Sequence, residues 1–342
     1  MIDNLLKDLN EEQREAVIHF NGPLLILAGA GSGKTRTIIY RIAYLINNYG
    51  VNPNSVLALT FTNKAAREMV ERLRRFPKGD YLKGVLATTF HSFGFIFIKE
   101  NQDIISGGKD LQIIDEDDQL KIIAEVVNLL NIDKEELPPK IVKSVINDWK
   151  NQGYYLSEYL DNKFFADYLI GIYSSIINKY EELKKERGLL DFGDLLYVVY
   201  NVLRDNKDIL EKYQNRFPYV LVDEYQDTNP IQYKILKLLC NKKRNLTVVG
   251  DDDQSIYSWR GANYENILMF ERDFPDRVEI KLEQNYRSTT TILEAANGVI
   301  SHNTNRKDKK LWSGNGDGKP IEIFFPSNES EEADFIAHTI RS

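Results

Sequence analysis

The feature that most constrains the fold is the stretch LLILAGAGSGKT at residues 24–35. A short apolar run, typical of a buried strand, gives way to a turn of small residues and then to Lys34 and Thr35. In such a turn the backbone N–H groups surround an anion, and the following helix directs its positive end at the same place. The lysine reaches the β- and γ-phosphates of a nucleotide, and the threonine hydroxyl ligates Mg²⁺. The sequence therefore predicts a phosphate-binding loop formed by Ala28, Gly29, Ala30, Gly31, Ser32 and Gly33, with Ala28 where the G-x-x-x-x-G-K-[ST] pattern has its first glycine.

The residues around this loop alternate between apolar strands and helices. Strands are predicted at residues 24–27, 55–61 and 84–88, with helices at 35–48, 63–75 and 90–99. Apolar strands separated by helices indicate an α/β fold with a doubly wound parallel sheet. Ligands of such sheets bind at the carboxyl ends of the strands. Polar, small or aromatic residues follow three of the predicted strands, at 28–35, 60–64 and 88–91.

The alternation stops between residues 111 and 188, where only helices are predicted, at 116–130, 139–151 and about 164–187. This pattern indicates an all-helical insertion between two strands of the sheet. Its aromatic residues either stack on nucleic acid or pack in a core, and their helical spacing favours the core. They are Tyr154, Tyr155, Tyr159, Phe164, Phe165, Tyr168, Tyr173 and Tyr180.

The α/β pattern resumes afterwards and predicts buried strands at 219–222, 246–249 and 278–282. Helices are predicted at 191–204, 207–216, 228–239 with Thr228 as cap, and about 289–300 with Ser288 as cap. A strand at 321–325 and a helix at 330–341 resemble the start of another domain. The predicted division of the chain is 1–108, 109–189, 190–287 and 288–342.

Charge and composition narrow the class of protein. The net charge of −7 hides a basic segment, 60–83, with seven bases against three acids, and an acidic one, 110–136, with nine acids against two bases. The net charge therefore neither supports nor excludes a nucleic-acid partner. The single cysteine, Cys240, allows no internal disulfide, and no apolar run approaches the about 20 residues of a membrane span. The N-terminal residues lack a signal-peptide pattern, so we expect a cytoplasmic protein without membrane contact.

A phosphate-binding loop requires acidic partners, and the strand at 219–222 ends in Asp223 and Glu224. Adjacent residues at a strand end point in different directions, so one faces a metal ion and the other faces water. We assign Asp223 to Mg²⁺ and Glu224 to the general base that takes a proton from the attacking water. Asp227 is interpreted as an acid of the loop or of the helix start.

Three further polar residues have two interpretations each. Gln254 follows a strand and either contacts the γ-phosphate or attacking water, or makes a hydrogen bond at a helix start. Arg287 either supplies positive charge to the γ-phosphate or forms a salt bridge. Gln13 either completes a capping box with Asn10 or reads the edge of an adenine.

A cluster of aromatic and basic residues follows Gln254. Tyr257, Trp259 and Arg260 suit base stacking and cation–π contact with single-stranded nucleic acid, although core packing remains the alternative. Residues after two other strands are predicted to line the same groove: Phe61, Asn63, Lys64, Thr89, Phe90 and His91.

Taken together, these motifs resemble superfamily 1A DNA helicases of the UvrD/Rep/PcrA type. The resemblance is collinear from residue 9 to 288 and is carried by LNEEQREAV, AGAGSGKTRT, ALTFTNKAAREM, TTFHSFG, GLLDFGDLL, VLVDEYQDTNPIQ, VVGDDDQSIYSWRGA and LEQNYRS. It implies ATP and Mg²⁺ as cofactors and 3′→5′ movement on single-stranded DNA. It also implies that Gln13 reads adenine and that Arg36 and Tyr286 lie near the base or ribose.

The resemblance also implies a domain plan. Residues 1–108 and 190–287 would form a RecA-like P-loop motor lobe, 109–189 an inserted helical domain that contacts duplex at single-strand/double-strand junctions, and 288–342 the start of a second lobe. No motif of the second lobe follows residue 288, so we expect the N-terminal portion of a longer helicase. Such a chain would bind nucleotide weakly, hydrolyse ATP slowly and not unwind DNA.

Two alternatives remain open at this point. One is the motor subunit of a helicase–nuclease complex, and the other is a nucleotide-regulated DNA-binding module without turnover. Partner proteins from repair or replication fit all three interpretations.

Overall fold

The computed structural model describes residues 6–76, 79–163, 165–240, 244–255, 266–303 and 307–341. Six parallel strands form one sheet in the order β3-β2-β6-β7-β1-β8. The strands are β1 Leu24–Ala28, β2 Val56–Thr60, β3 Leu86–Thr89, β6 Tyr219–Val222, β7 Leu246–Gly250 and β8 Val278–Leu282. The order is that of a doubly wound sheet, as predicted, because all neighbouring strands are parallel and helices on both faces of the sheet connect them.

Helices cover both faces of the sheet. They are α1 Glu11–Ile18, α2 Lys34–Tyr49, α3 Asn63–Arg74, α4 Phe90–Glu100, α5 Gln102–Ser106, α10 Asp194–Asp205, α11 Lys207–Arg216, α12 Pro230–Leu239 and α13 Asn266–Asp273. One face buries Ile38, Ile42 and Ile280, and the other buries Phe93 and Tyr213. Two cores around apolar strands fix the register of the sheet and therefore the positions of its carboxyl ends.

The helical insertion lies between β3 and β6 and has a core of its own, which includes Ile123, Val126, Ile146, Ile177 and Tyr180. Its helices are α6 Glu116–Leu129, α7 Pro139–Gln152, α8 Leu156–Asn162 and α9 Asp167–Arg187. A short parallel pair, β4 Gln112–Ile113 with β5 Leu189–Leu190, joins its two ends. Of the aromatic residues considered for stacking, Tyr159, Tyr173 and Tyr180 are buried, whereas Tyr155 and Tyr168 are exposed and Phe164 lies outside the described residues.

The C-terminal part begins after β8 and contains β9 Gln284–Asn285, α14 Thr290–Ile300, β10 Trp312–Ser313 and α15 Glu329–Arg341. The strands β9 and β10 pair in parallel. Residues 321–325 form no strand and are exposed, so the predicted strand there is wrong. A strand needs a partner for its backbone groups, and in the described part of the chain no neighbour supplies one.

Two predicted helix caps are also wrong. Asn229, not Thr228, caps α12, and it forms a capping box with Gln232. Thr289, not Ser288, precedes α14. The helices α5, α8 and α13 were not predicted, because short segments carry little periodicity. Within the described residues, no helix is both long and apolar enough to cross a membrane.

Candidate active site

The loop between β1 and α2 is shaped by glycine. Gly31 and Gly33 have φ angles of 70° and 89°, in the left-handed region that favours glycine. A Cβ atom at Gly31 would lie 2.6 Å from the Asn285 amide nitrogen, and one at Gly33 would lie 2.9 Å from that of Gln13. The backbone is therefore packed closely on both sides. The N–H groups of Gly29 and Ser32 donate to the Leu282 and Gly29 carbonyls.

The Lys34 ammonium connects two of the predicted catalytic residues. It donates to the Glu224 carboxylate at 2.9 Å and to the Gln254 amide oxygen at 3.2 Å. These three residues come from α2, from the end of β6 and from the end of β7. The sheet thus brings together side chains that lie far apart in the sequence, at the edge where ligands of such sheets bind.

Thr35 and Asp223 form a second pair in the site. The Thr35 hydroxyl donates to the Asp223 carboxylate at 3.0 Å. Burial, and then the charge of Glu224, raise the pKa of Asp223 to about 6. A buried carboxylate beside a hydroxyl offers the hard oxygen ligands that Mg²⁺ prefers, so the residues present fit this ion.

Glu224 is held in an unusual backbone conformation. Its φ angle is 52°, which is uncommon for a residue with a Cβ atom, and residues in such conformations are concentrated at functional sites. The Gln226 amide donates to the same carboxylate oxygen, Oε2, that accepts from Lys34. The turn therefore directs Glu224 toward Lys34 while Asp223 meets Thr35, as expected for adjacent residues at a strand end.

Asp227 is more buried than a loop acid would be. Its side chain is buried, and among the described residues its Oδ1 atom has no hydrogen-bond partner. Burial, and then the charge of Glu224, raise the pKa of Asp227 to about 6. No pattern in the sequence indicates this burial, because it depends on the packing of the turn after β6.

Gln13 takes part in the predicted capping box and also contacts the phosphate-binding loop. It forms the predicted capping box with Asn10, and its amide donates to the Ser32 carbonyl at 2.9 Å. The side chain is buried against the phosphate-binding loop. Its predicted contact with adenine stays a prediction.

The residues predicted to approach the ribose, base and γ-phosphate lie around the same loop. The Tyr286 N–H donates to the Gly31 carbonyl at 3.0 Å, and Arg287 is exposed beside Gly31. The Arg36 guanidinium lies over the Tyr40 ring at 5.4 Å and donates to the Asp8 carbonyl. Arg36, Tyr286 and Arg287 all lie near the loop, and their roles stay predictions.

The predicted nucleic-acid residues do not share one environment. Thr89, Ser92 and Asn63 share hydrogen bonds between the start of α4 and the start of α3, beside exposed Lys64 and partly buried Phe61. Tyr257, Trp259 and Arg260 lie outside the described residues.

The prediction that Phe90 contacts nucleic acid is wrong. Its side chain is buried among the core residues of one face of the sheet and is not available to a nucleic acid. The motif TTFHSFG alone does not show which of its residues lie on the exposed face of α4 and which on the buried face.

His91 stacks on a residue that the sequence analysis did not select. Its ring lies 4.1 Å from that of Phe192, with 19° between the planes, and Phe192 is 59% exposed. Burial lowers the pKa of His91 to about 4, so the ring is neutral near pH 7. Phe192 could have been selected from the sequence as an aromatic residue in the turn between β5 and α10.

A buried ionic cluster fixes the turn that carries Phe192. Lys150 donates to both Asp191 and Asp194 at 2.6 Å, and Lys184 donates to Asp191 at 2.8 Å. Burial would raise the pKa of Asp191, but the two lysine charges outweigh it and hold that pKa far below its usual range. The lysines belong to α7 and α9 of the helical insertion, so the cluster joins the insertion to α10.

Comparison with known proteins agrees with this geometry. Residues 9–275 match the family model of the UvrD/REP helicase N-terminal domain, and residues 280–342 match that of the UvrD-like helicase C-terminal domain. The motifs recognised in the sequence end at residue 288, but the family match continues beyond them.

Curated relatives are similar over almost the whole chain. The ATP-dependent DNA helicase PcrA of Staphylococcus aureus strain Mu50 is 45% identical over 337 residues, which are 98% of this chain and 46% of the relative. The protein of the same name from Staphylococcus epidermidis strain RP62A is 44% identical over the same shares. The chain thus spans about half the length of the curated relatives it matches. With its parallel sheet, its phosphate-binding loop and these matches, the chain belongs to the UvrD/Rep/PcrA family of superfamily 1 helicases.

Proposed function

We propose that this chain provides the ATP-hydrolysing motor of a DNA helicase or translocase that moves 3′ to 5′ on single-stranded DNA. The observation that carries the proposal is the meeting of Lys34, Glu224 and Gln254 at one point of the sheet edge, with Thr35 and Asp223 beside them. A module that only binds nucleotide has no need of a carboxylate in the position of a general base.

Each of these residues has a distinct task in the proposed reaction. The Lys34 ammonium binds the terminal phosphates of ATP, and Glu224 accepts a proton from the attacking water. Gln254 positions that water or the γ-phosphate, and Arg287 stabilises the charge that develops there. Thr35 and Asp223 would hold Mg²⁺, which neutralises phosphate charge when it is bound. Gln13, Arg36 and Tyr286 would hold the base and ribose.

The proposed DNA track lies at the carboxyl ends of β2 and β3. Its described members are Phe61, Asn63, Lys64, Thr89, His91 and, in addition to the predicted set, Phe192. Stacking on aromatic rings suits single strands of any sequence. Tyr257, Trp259 and Arg260 are proposed to continue the track.

We retain the predicted domain plan as part of the proposal. Residues 1–108 and 190–287 form the first motor lobe, 109–189 the helical domain and 288–342 the beginning of the second lobe. The separate apolar core of the helical insertion supports this division. Contact of the helical domain with single-strand/double-strand junctions, and partners from repair or replication, belong to the proposal as well.

The first test measures nucleotide and DNA binding by the 342-residue chain. We expect Mg²⁺-dependent binding of a fluorescent ATP analogue that Lys34→Ala abolishes, and binding of single-stranded DNA that Lys34→Ala leaves intact. Steady-state ATP hydrolysis with and without DNA then shows whether turnover depends on Lys34. Nucleotide binding that is the same in Lys34→Ala and in the unaltered chain would contradict the proposal.

A further inference from the structure

A segment of the C-terminal part, residues 307–313, packs directly on the candidate active site. The Leu311 side chain fills the space beside Gly29, so that a Cβ atom at Gly29 would overlap it. The pairing of β10 with β9 places this segment next to Asn285, whose amide donates to the Ala30 carbonyl at 2.6 Å. The segment therefore touches the phosphate-binding loop both through Leu311 and through β9.

The same segment inserts a buried lysine into the loop after β7. The Lys309 side chain is 2% exposed, and its ammonium lies 2.9 Å from Asp251 and 2.7 Å from Asp253, with Asp252 also in contact. Burial alone would lower the pKa of Lys309, but the surrounding carboxylates outweigh this effect and raise it. The lysine is therefore a fully charged counterion for three consecutive aspartates.

One of these aspartates also holds Gln254. The Gln254 amide nitrogen donates to Oδ2 of Asp251, while Oδ1 of Asp251 faces Lys309. The oxygen of the same Gln254 amide accepts from Lys34 at 3.2 Å. A continuous chain of polar contacts thus runs from Lys309 through Asp251 and Gln254 to Lys34.

We propose that Lys309 is a positioning residue that orients Gln254 toward the terminal phosphate of a bound nucleoside triphosphate. The proposal rests on the proposed function of the nucleotide site. With the ammonium in place, Asp251 is fixed and accepts from the nitrogen of Gln254, so the amide oxygen must face Lys34. This arrangement makes the response to the γ-phosphate depend on the position of the segment 307–313.

The reverse case shows why the lysine matters. Without its ammonium, the buried carboxylate of Asp251 and the partly buried ones of Asp252 and Asp253 would repel one another. Oδ1 of Asp251 would keep the Asp253 N–H as a partner but would lose its charged one. Asp251, which sets the end of the Gln254 amide that faces the phosphate site, would then be held less firmly. The phosphate-binding loop itself would keep its own backbone contacts, so binding of the α- and β-phosphates would change little.

The test compares the affinities of ADP and of a non-hydrolysable ATP analogue, both with Mg²⁺, by equilibrium binding to the 342-residue chain. The variants are Lys309→Met, Lys309→Arg and, as a matched control on the same segment, the exposed Lys310→Met. We expect Lys309→Met to lower the preference for the ATP analogue over ADP by roughly tenfold, the scale of one charge-assisted hydrogen bond. Lys309→Arg should restore most of the preference, and Lys310→Met should match the unaltered chain.

A second measurement separates positioning from general packing. If Lys309 acts through Gln254, Lys309→Met will have no further effect in a Gln254→Ala background. An equal loss of ADP and ATP-analogue affinity in Lys309→Met, or full additivity of the two substitutions, would overturn the inference. Should thermal melting show that Lys309→Met does not fold, Asp251→Asn replaces it, and the same change of preference is expected.

The outcomes also distinguish this inference from the function on which it rests. If the unaltered chain binds neither nucleotide in a Lys34-dependent manner, the proposed function fails. If it binds both but Lys309→Met leaves the preference unchanged, only the role of Lys309 is refuted.

Discussion

The Lys34 ammonium lies 2.9 Å from the carboxylate of Glu224. The residue that would bind phosphate is therefore paired with the residue that would accept the proton. An incoming phosphate competes with Glu224 for the lysine. Glu224 does not lose its partners entirely, because Gln226 donates to the same carboxylate oxygen at 2.9 Å.

Because of this pairing, we expect Glu224→Gln to affect nucleotide binding and ATP hydrolysis in opposite directions. The variant should bind nucleotide at least as tightly, because Lys34 no longer has a carboxylate partner to leave. Its hydrolysis rate should fall by about 10²–10⁴-fold, the usual contribution of a general base. Isothermal titration and single-turnover hydrolysis measure the two quantities.

The control for this experiment is Glu68→Gln, which removes a carboxylate from an exposed ion pair with Arg72. It should change neither binding nor hydrolysis. A Glu224→Gln variant that hydrolyses ATP at the rate of the unaltered chain would remove Glu224 from the proposed mechanism.

Because Asp227 is buried, we expect the thermal stability of the protein to depend on pH. Its pKa is about 6 in the folded chain and near 4 when unfolded, so the folded state binds the proton more tightly. The buried charge therefore destabilises the fold increasingly as the pH rises from 4 through 6. Asp227→Asn should raise the melting temperature at pH 8 and have little effect at pH 4.

Exposed Asp161 provides the comparison for Asp227. Asp161→Asn should leave the melting temperature nearly unchanged at both pH values. Equal effects of Asp227→Asn at pH 4 and pH 8 would show that the carboxyl does not titrate as described.

The buried lysines at the base of the helical insertion should be essential for stability. Lys150→Met leaves Asp191 and Asp194 with one ammonium fewer inside the protein. Breaking such a buried pair costs about 3–5 kcal/mol in the free energy of unfolding. The exposed pair of Lys179 with Glu182 is the control, and Lys179→Met should cost about 0–1 kcal/mol. Urea unfolding of both variants decides whether the cluster stabilises the fold.

Phe192 should contribute to the binding of single-stranded DNA. Its exposed ring stacks on His91, and a base–aromatic stack is worth about 1–3 kcal/mol. Phe192→Ala should therefore weaken binding of an oligothymidine by roughly tenfold or more, measured by fluorescence anisotropy. Tyr168→Ala removes an equally exposed ring from the helical insertion and should leave this affinity unchanged. Equal affinities of Phe192→Ala and Tyr168→Ala would exclude Phe192 from the track.

Much of the site could be predicted because its signals are local. The apolar run before Gly29 and the run before Asp223 each identify a strand end, and parallel strands bring their carboxyl ends to one edge. Lys34, Thr35, Asp223, Glu224 and Gln254 meet there as the motifs indicate.

What the sequence did not reveal depends on distant contacts. The burial of Asp227 and the insertion of Lys309 among three aspartates follow from the path of the chain through space, and neither leaves a periodic pattern. The predicted strand at 321–325 had a suitable composition but no partner in the described residues. Phe90 and His91 are adjacent in sequence, and only the direction of α4 shows that one is buried and the other stacks on Phe192.

The order of strands in the sheet has a consequence for synthesis of the protein. The first strand, which carries the phosphate-binding loop, pairs among the described residues only with β7 and β8, so that Leu24 lies beside Thr247 and Val278. A ribosome adding about 5–20 residues per second needs roughly 10–45 s to reach β7 after β1 has been made. During that interval the most apolar strand of the chain has no hydrogen-bonding neighbour in the sheet. The nascent chain is therefore exposed to aggregation, and to the chaperones that prevent it, until translation has entered the last third of this sequence.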